Sequence, residues 1–319
     1  MNTVITRTPA ALAIDASIER AKTLIEEYAI PPNTKRAYLS DFAHFEEWCH
    51  TRGLQSFPAA PGTMVLYLTD LSERYKLATI ERRRAAVVQV HKAGNQPPPL
   101  DGQVSLTMKA IRHKLSRRQE QKAPATIDHI ARMVTTCDNT IMGIRDRALL
   151  LVGFAGAFRR SELVALNVED IAFVPEGLTV TIRRSKTDQT GEGEKIGIPY
   201  GKNKHTCPVR SLKAWLTEAG ITGGAIFRGI DRHGNVQPRR LTPQSVALVV
   251  KRAAGASGLD ESLFGGHSLR AGLATSAAAA GVEERLIANQ TRHKSMTVLR
   301  RYIRDGSLFR GNAAGKVGL

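Results

Sequence analysis

The segment LTVTIRRSKTDQTGEGEKIGIPY, residues 178–200, decides the fold class, because it carries a β-strand pattern in a chain whose other segments have helical patterns. Its residues alternate between apolar and polar on both sides of a Gly-rich turn. Two alternating runs joined by such a turn are typical of an antiparallel hairpin. The sequence therefore predicts a mostly α-helical protein with a small antiparallel β-sheet.

Helical patterns lie on both sides of this hairpin. Upstream of it, Thr126 is the expected N-cap of one helix, and further helices are expected within residues 143–165. Downstream, Thr242 and Pro243 have the residue types of an N-cap and a first helical position. Other helical segments follow at 211–220, at 268–281 and around Tyr302. These patterns predict a mixed α+β domain over residues 127–319.

The part of the chain before this domain has helical patterns throughout. Five such segments lie between Ser17 and Arg118, and no strand pattern interrupts them. The stretch QEQKAPAT, 119–126, combines polar and small residues with a proline, as linkers do. We therefore expect a flexible N-terminus over 1–19, a helical domain over 20–118 and a linker over 119–126.

The charge of the chain indicates its partner. Among 319 residues, 46 are Lys or Arg and 29 are Asp or Glu, which gives a formal net charge of +17. Like charges repel one another and oppose compaction, so the excess indicates a polyanionic partner, with nucleic acid the leading candidate. A membrane surface is the competitor, but the basic residues do not form one amphipathic anchor. The longest uncharged apolar run, 148–158, is too short to span a bilayer.

Cysteine use and the N-terminal sequence bear on location and cofactors. Cys49, Cys137 and Cys207 lie far apart, and none belongs to a CxxC pair. A reduced, cytoplasmic protein without structural zinc is the simplest interpretation. The N-terminus shows no secretory signal, and His205 with Cys207 lacks the second ligand pair of a metal site. We predict no metal, no other cofactor and no membrane partner.

Basic residues recur on successive predicted helices. Faces of this kind on both sides of a linker suit two domains that close on a duplex, with cations on phosphates. Gln244, in the first turn of its helix, is a weaker candidate for reading adenine, because glutamine also starts helices well. An arginine run is more often a solvated face than a reader of bases. The candidate DNA-binding residues are Lys35, Arg36, Arg82, Arg83, Arg112, Arg118, Arg240 and Gln244.

Four segments carry motifs that resemble one enzyme family. AGAFRRSELVAL, 155–166, and GHSLRAG, 266–272, resemble the first two signatures of the tyrosine recombinase (phage integrase) family. HKSMTVLRRY, 293–302, resembles the third, in which a histidine precedes the nucleophilic tyrosine by nine positions. The hairpin at 178–200 is similar to the one that carries the family's catalytic lysine. The four occur in the family's order, and the resemblance covers about residues 20–304.

The resemblance implies a role for each motif residue. Arg159 and Arg270 would bind the non-bridging oxygens of a DNA phosphate, where negative charge builds during attack. Lys186 would protonate the departing 5′ oxygen, and Lys195 is an alternative across the turn. His267 would be the base or an orienting group, and His293 a phosphate donor. Tyr302 would be the nucleophile, and Glu162 would hold a catalytic side chain in place.

Each of these residues also has an ordinary structural interpretation. Tyr302, taken alone, is a half-buried aromatic on an amphipathic helix. Arg159 could simply form an ion pair with Glu162, and Lys186 could be an exposed charge at a hairpin tip. Either histidine could be a structural residue with its hydrogen bonds satisfied. Only the ordered set of motifs favours catalysis over these alternatives.

The chain departs from the family pattern at two places. Before the third-motif histidine the family usually has Leu-Gly, whereas this chain has Thr291 and Arg292. Arg292 thus replaces a glycine at a turn between helices. After the tyrosine, the segment DGSLFRGNAAGKVGL, 305–319, is short and broken by Gly306, Gly311 and Gly315, though Leu308 and Phe309 could still dock on a neighbouring protomer.

The resemblance implies a site-specific recombinase of the simple Cre-like or Xer-like kind, since no further DNA-binding domain fits before residue 20. The implied substrate is double-stranded DNA with an inverted-repeat site, bound by a homotetramer on two sites. The implied reaction passes through a 3′-phosphotyrosyl intermediate and a Holliday junction, and it needs neither ATP nor a metal. A prokaryotic, phage or plasmid origin is expected. The alternatives are a type IB topoisomerase-like enzyme and a non-catalytic DNA-binding protein of the same fold. For the helical N-terminal part, the family implies a SAM-like core-binding domain.

Overall fold

The computed structural model describes residues 31–115, 122–183, 193–293 and 295–306. The chain divides into two compact units, Met1–Gln119 and Glu120–Leu319. The first predicted helix, within residues 17–30, lies outside the described residues. The predicted fold class, mostly helical with small antiparallel sheets, is confirmed.

The described part of the first unit is a set of four helices. The residues that face inward are aromatic and aliphatic, among them Phe45, Tyr67 and Leu68, which solvent does not reach. The side chain of Asp101 accepts a hydrogen bond from the Val104 amide at 2.8 Å and thereby caps the last of these helices. The helices are α1 (Pro32–His50), α2 (Pro61–Arg74), α3 (Leu77–Ala93) and α4 (Gly102–Lys114).

The second unit surrounds one apolar helix with smaller elements. Its helices are α5 (Ile127–Thr135), α6 (Ile141–Ala155), α7 (Arg160–Ala165), α8 (Pro208–Glu218), α9 (Pro243–Ala256), α10 (Ser268–Ala279), α11 (Glu284–Thr291) and α12 (Met296–Gly306). Short 3-10 turns cover Val168–Asp170 and Glu261–Leu263. The strands are β1 (Ile171–Val174), β2 (Gly177–Ile182), β3 (Glu194–Pro199), β4 (Arg228–Ile230) and β5 (Val236–Arg240).

The predicted hairpin is present as β2 and β3, which pair antiparallel. Val180 lies opposite Ile196 and Leu178 opposite Ile198, so these buried side chains share one face. Strand β1 adds to the free edge of β2, and β4 pairs with β5 in a separate two-stranded sheet. Strands β1, β4 and β5 were not predicted from the sequence, because they are only three to five residues long and do not alternate.

Helix α6 forms the centre of the second unit. Leu149, Leu150 and Val152 are all inaccessible to solvent, which explains the apolar run that the sequence shows here. The helical stretch predicted at 143–165 is two helices, α6 and α7, separated by a turn at 156–159. In this turn Ala157 has φ of 46°, a left-handed conformation that non-glycine residues rarely adopt. The turn directs the chain after α6 so that Arg159 leads into α7.

Two further findings concern the predictions on membranes and cysteines. Within the residues that the structure describes, no helix has both the length and the apolar composition needed to cross a membrane. Cys49, Cys137 and Cys207 are free thiols, and all of them are buried.

Thr242 caps α9 as expected, since its hydroxyl accepts a hydrogen bond from the Ser245 amide at 3.1 Å.

Candidate active site

Arg159 and Glu162 form an ion pair at the start of α7. Arg159 is the N-cap residue, and its Nη1 donates to Glu162 Oε1 at 2.5 Å. The Arg159 backbone amide donates to the second carboxylate oxygen, Oε2, at 2.9 Å. Burial alone would raise the pKa of Glu162, but the hydrogen bonds from Arg159 and the charge of Arg292 lower it below its usual value. Glu162 is therefore a carboxylate that fixes the Arg159 side chain.

Arg270 lies in the first turn of α10 and is 1% exposed. Its Nη1 donates to the carbonyl of Ala157 at 2.9 Å, in the turn before Arg159. Its Nη2 is buried without a hydrogen-bond partner among the described residues. Burial and the charges of Arg159 and Arg292 lower the pKa of Arg270 to about 9, which leaves it cationic at neutral pH. A buried cation with an unused donor is suited to an anionic ligand.

Tyr302 has a packed ring and a hydroxyl that lies beside a histidine. Its ring packs against the small apolar cluster of α10, α11 and α12 that contains Leu299. Its hydroxyl lies 3.1 Å from Nε2 of His267, which is itself exposed. Partial burial of the imidazole, followed by the charges of Arg270 and Arg159, lowers the pKa of His267. A neutral imidazole can accept a proton from the phenol.

His293 lies between α11 and α12, with its ring centroid 6.0 Å from that of Tyr302. Its Nδ1 is 2.7 Å from the hydroxyl of Thr291, which in turn donates to the carbonyl of Ile287 at 2.6 Å. Because that hydroxyl has one proton to give, Nδ1 of His293 is the donor to Thr291 and Nε2 of the neutral ring is an acceptor. Burial, with the charge of Arg270 next in size, lowers the pKa of His293 to about 4.

Arg292 is a member of this cluster that motif comparison missed. It has φ of 54°, and its side chain is 2% exposed. Its guanidinium donates to Glu162, stacks over the ring of Phe158 at 5.3 Å and reaches the 156–157 turn. The signal in the sequence was the replacement of a glycine by arginine, but spacing alone could not show which way that side chain turns.

The remaining features of the site concern two lysines, one glutamine and potential metal ligands. Lys186 lies outside the described residues, so its position is not part of this geometry. Lys195 is exposed on β3, opposite Thr181. Gln290, also missed from the sequence, donates from Nε2 to the carbonyls of Ala155 and Gly197, at 2.9 and 3.2 Å. Across the described ranges, no group of three or more His, Cys, Asp or Glu side chains could hold a metal ion.

The candidate DNA-binding residues of the first unit differ in exposure. Lys35 and Arg36 are exposed on the first turn of α1. Arg82 makes a two-pronged ion pair with Asp41, at 2.6 and 3.0 Å, but its side chain is half exposed. Arg112 pairs with Glu81 at 2.9 Å on the surface, and Arg118 lies outside the described residues.

Arg83 differs from these residues, because only 11% of its side chain is exposed. It lies 3.6 Å from Asp41, donates toward His44 at 3.1 Å and covers the ring of Tyr75 at 4.0 Å. These contacts use the guanidinium within the first unit and leave little of it for a phosphate. The sequence could not distinguish Arg83 from its neighbours, because all three arginines of the run have the same helical propensity.

The two candidates of the second unit lie at the junction of β5 and α9. Arg240 Nη1 donates to the Val164 carbonyl at 2.8 Å, and Nη2 donates to Asn167 at 3.0 Å, so this arginine fastens β5 to the end of α7. Gln244 is exposed in the first turn of α9. Both residues are exposed, but the guanidinium of Arg240 already makes these two protein contacts.

Comparison with known protein families gives two matches. The sequence profile of the phage integrase family matches residues 125–307. That of the phage integrase N-terminal SAM-like domain matches residues 21–94. The first match covers more than half of the chain and includes every motif segment described above.

Two curated relatives extend over most of the chain. An integrase/recombinase XerD homolog of Selenomonas ruminantium is 43% identical over 290 residues, which are 89% of this chain and 85% of the relative. The recombinase Cre of Escherichia phage P1 is 24% identical over 322 residues, 92% of each chain. The first of these identities is high enough to establish common descent over both units.

Solved structures of low sequence identity share the fold. The Tn1549 transposon integrase, solved with transposon right-end DNA, gives a TM-score of 0.63 at 15% identity and covers 88% of this chain and 92% of that one. A lambda integrase tetramer bound to a Holliday junction gives 0.60 at 18% identity, with 92% and 78% coverage.

Proposed function

The chain belongs to the phage integrase family, and from this premise we propose that it is a site-specific DNA recombinase of the tyrosine type. It would cleave one strand of its DNA site, hold the end covalently and rejoin it to a second duplex. The energy of the phosphodiester would be kept in the protein–DNA bond, so neither ATP nor a metal is required. This reaction defines the role of each residue in the cluster around Tyr302.

In the proposed cleavage step, Tyr302 Oη attacks the scissile phosphorus. The bond between Oη and phosphorus forms as the bond between phosphorus and the 5′ oxygen breaks, which leaves a 3′-phosphotyrosyl link. His267 accepts the phenol proton, since its Nε2 is 3.1 Å from Oη and its pKa is lowered. Lys186 gives a proton to the departing 5′ oxygen. Attack by a 5′ hydroxyl of another duplex then reverses the step and releases Tyr302.

The charge that builds on the non-bridging oxygens requires fixed cations. Arg159 and Arg270 are suited to this task, because guanidinium donors match two phosphate oxygens and both side chains are already held by protein contacts. His293 would join them as a donor once the negative charge of the phosphate raises its low pKa, so that Nε2 takes up a proton from solvent. The unused donor of Arg270 is the single observation that most favours a phosphate at this site.

We propose the following division of labour along the chain. Residues 20–118 would form the core-binding domain and 127–319 the catalytic domain, with 1–19 a flexible N-terminus and 119–126 the linker. Double-stranded DNA with an inverted-repeat site would be the substrate, bound by a homotetramer on two sites in the cytoplasm. By exposure, the described DNA contacts would be Lys35, Arg36, Arg82, Arg112, Arg240 and Gln244.

The experiment that tests this function begins with the unknown DNA site. Tyr302→Phe keeps the ring in its apolar cluster and removes only the attacking oxygen, so this variant should bind its site and stay uncleaved. Selection from random-sequence duplexes with Tyr302→Phe would identify the site. Binding should weaken steeply with added salt, because the basic chain displaces counterions from the phosphates.

Cleavage is then measured on the selected site with a nick near the scissile phosphate, so that the covalent complex accumulates. The wild-type chain should give a band of protein joined to DNA on a denaturing gel, and Tyr302→Phe should give none. A joined band with Tyr302→Phe would mean that another residue is the nucleophile. Two-site dependence of the rejoined product would separate a recombinase from a topoisomerase.

A further inference from the structure

Arg292 has a conformation and an environment that an arginine would rarely take without specific contacts. Its backbone is left-handed, which favours glycine, and its charged side chain is buried. We propose that Arg292 is a positioning residue, which neutralises Glu162 and fixes the turn before Arg159, so that Arg159 keeps its charge and Arg270 its position for the DNA phosphate. This inference rests on the proposed recombinase function.

The contacts of Arg292 join three parts of the second unit. Its Nη1 donates to the carbonyls of Gly156 and Gln290, at 3.0 and 2.8 Å. Its Nη2 donates to the carbonyl of Ala157 at 3.0 Å and to Oε2 of Glu162 at 3.1 Å. The Ala157 carbonyl also accepts from Arg270. One guanidinium therefore connects the end of α11, the turn that leads into Arg159 and the carboxylate that holds Arg159.

The second part of the argument concerns charge. Glu162 is bonded to two arginines, Arg159 through Oε1 and Arg292 through Oε2. If Arg292 were absent, the positive charge of Arg159 would have to balance that buried carboxylate, and less of it would act on a phosphate. Glu194 lies 3.9 Å from Nε of Arg292 but is half exposed, so it contributes little to this balance. Arg292 thus offsets the negative charge of Glu162 at Oε2, the oxygen that the Arg159 side chain does not use.

Arg292 does not act on DNA directly, because its Nη1 and Nη2 donate to four protein acceptors, whereas Nη2 of Arg270 has no partner among the described residues. Its effect must pass through Glu162 and the turn at 156–157. A direct phosphate ligand and a positioning residue differ in one respect that can be measured. Loss of a direct ligand is not repaired by changing Glu162, whereas loss of a neutralising partner is repaired when the carboxylate is removed as well.

The test is a double-variant cycle with Arg292→Met and Glu162→Gln, read by single-turnover cleavage of the nicked duplex. Arg292→Met should cleave slower than wild type by about tenfold or more, the scale of one lost charge interaction in a site of this kind. Glu162→Gln should also be slower, since Arg159 loses its orienting partner. The double variant should cleave faster than Arg292→Met, because no unbalanced carboxylate remains.

A matched control exists in the same unit. Asp146 is also a buried carboxylate bonded to two arginines, Arg145 and Arg252, and it lies in α6. Arg252→Met and the double variant with Asp146→Asn repeat the same chemical change away from Tyr302. These variants should unfold at lower urea concentration, yet their folded fraction should cleave at the wild-type rate. A cleavage defect in both cycles would mean that Arg292→Met slows cleavage through general destabilisation, and this would overturn the proposal.

Arg292→Gly serves as the second variant if Arg292→Met does not fold, because glycine adopts this backbone conformation freely. It should fold and still cleave slowly. Wild-type cleavage by Arg292→Gly, or a double variant no faster than Arg292→Met, would overturn the proposal.

Failure of the recombinase function itself would look different, since the wild-type chain would then form no covalent complex. The same cycle measured by urea unfolding would still decide whether the two side chains are coupled. Additive changes in unfolding free energy would overturn the pairing of Arg292 with Glu162.

Discussion

Gly272 lies one turn into α10 and two residues after Arg270, where the helix passes very close to another backbone segment. A Cβ atom added at Gly272 would lie 1.8 Å from the carbonyl oxygen of Ala125 and 2.4 Å from its carbon. The Ala125 segment is itself held to α10, because its amide donates to the Ser268 carbonyl at 2.9 Å. No side-chain rotation can relieve a clash between Cβ and backbone. Gly272→Ala must therefore push α10 and residue 125 apart.

The size of the effect follows from these distances. Ordinary contact between heavy atoms is about 3.5 Å, so the two segments must separate by about 1.5 Å or more. Overpacking of this kind typically costs about 1–3 kcal/mol of unfolding free energy, and a rigid backbone neighbour favours the upper end. Arg270, the proposed phosphate ligand, moves with α10, and a displacement of about 1 Å at such a group can slow a reaction by about 10²-fold. We expect Gly272→Ala to lose both stability and cleavage.

Urea unfolding and single-turnover cleavage of the nicked duplex measure the two effects on the same protein. Gly62→Ala in α2 is the matched control, since its added Cβ meets no atom within 4 Å. Alanine should stabilise that helix by about 0.5–1 kcal/mol and leave cleavage unchanged. If Gly272→Ala unfolds and cleaves like the wild-type chain, the close approach of α10 to residue 125 does not fix Arg270, and the reasoning is refuted.

Other changes test the acid, the histidine and the core. Lys186→Ala should cleave ordinary DNA more slowly by ~10²–10⁴-fold, and it should recover when sulfur replaces the bridging 5′ oxygen, because a thiolate leaves without a proton. Since the pKa of His293 is about 4 in the folded chain and 6.5 in the unfolded chain, stability should fall as pH decreases from 6.5 towards 4. His293→Gln should remove up to about 3 kcal/mol of that fall, as measured by urea unfolding at both ends of the range. Trp215→Phe loses the hydrogen bond to the Ile226 carbonyl at 2.9 Å and should lower the unfolding free energy by about 1–3 kcal/mol in urea, with cleavage unchanged.

Each of these predictions has a contrary outcome. Sulfur rescue of Lys195→Ala, with none for Lys186→Ala, would assign the acid to β3. An equally steep loss of stability in His293→Gln at low pH would mean that other groups cause it. A cleavage defect in folded Trp215→Phe would connect the core of the second unit to the site in a way that its contacts do not explain.

Much of the fold could be predicted from the sequence because it depends on local patterns. The helical periods, the cap at Thr242 and the alternation in β2 and β3 each arise from neighbours along the chain. Strand β5 escaped prediction because its residues, with Pro238 in the middle, do not alternate, and pairing with β4 is what makes it a strand. Local sequence patterns do not predict a strand whose formation depends on pairing with a distant segment.

The sequence by itself determined which residue types stand at the spacing that the chemistry needs: two arginines, two histidines, a lysine and a tyrosine in the family's order. Only the tertiary structure decided that the Tyr302 hydroxyl meets His267, that Arg83 turns inward and that Arg292 binds Glu162. Motif spacing specifies the backbone positions of residues, whereas the direction of a long charged side chain depends on which buried carboxylate or carbonyl comes within reach once distant segments have packed.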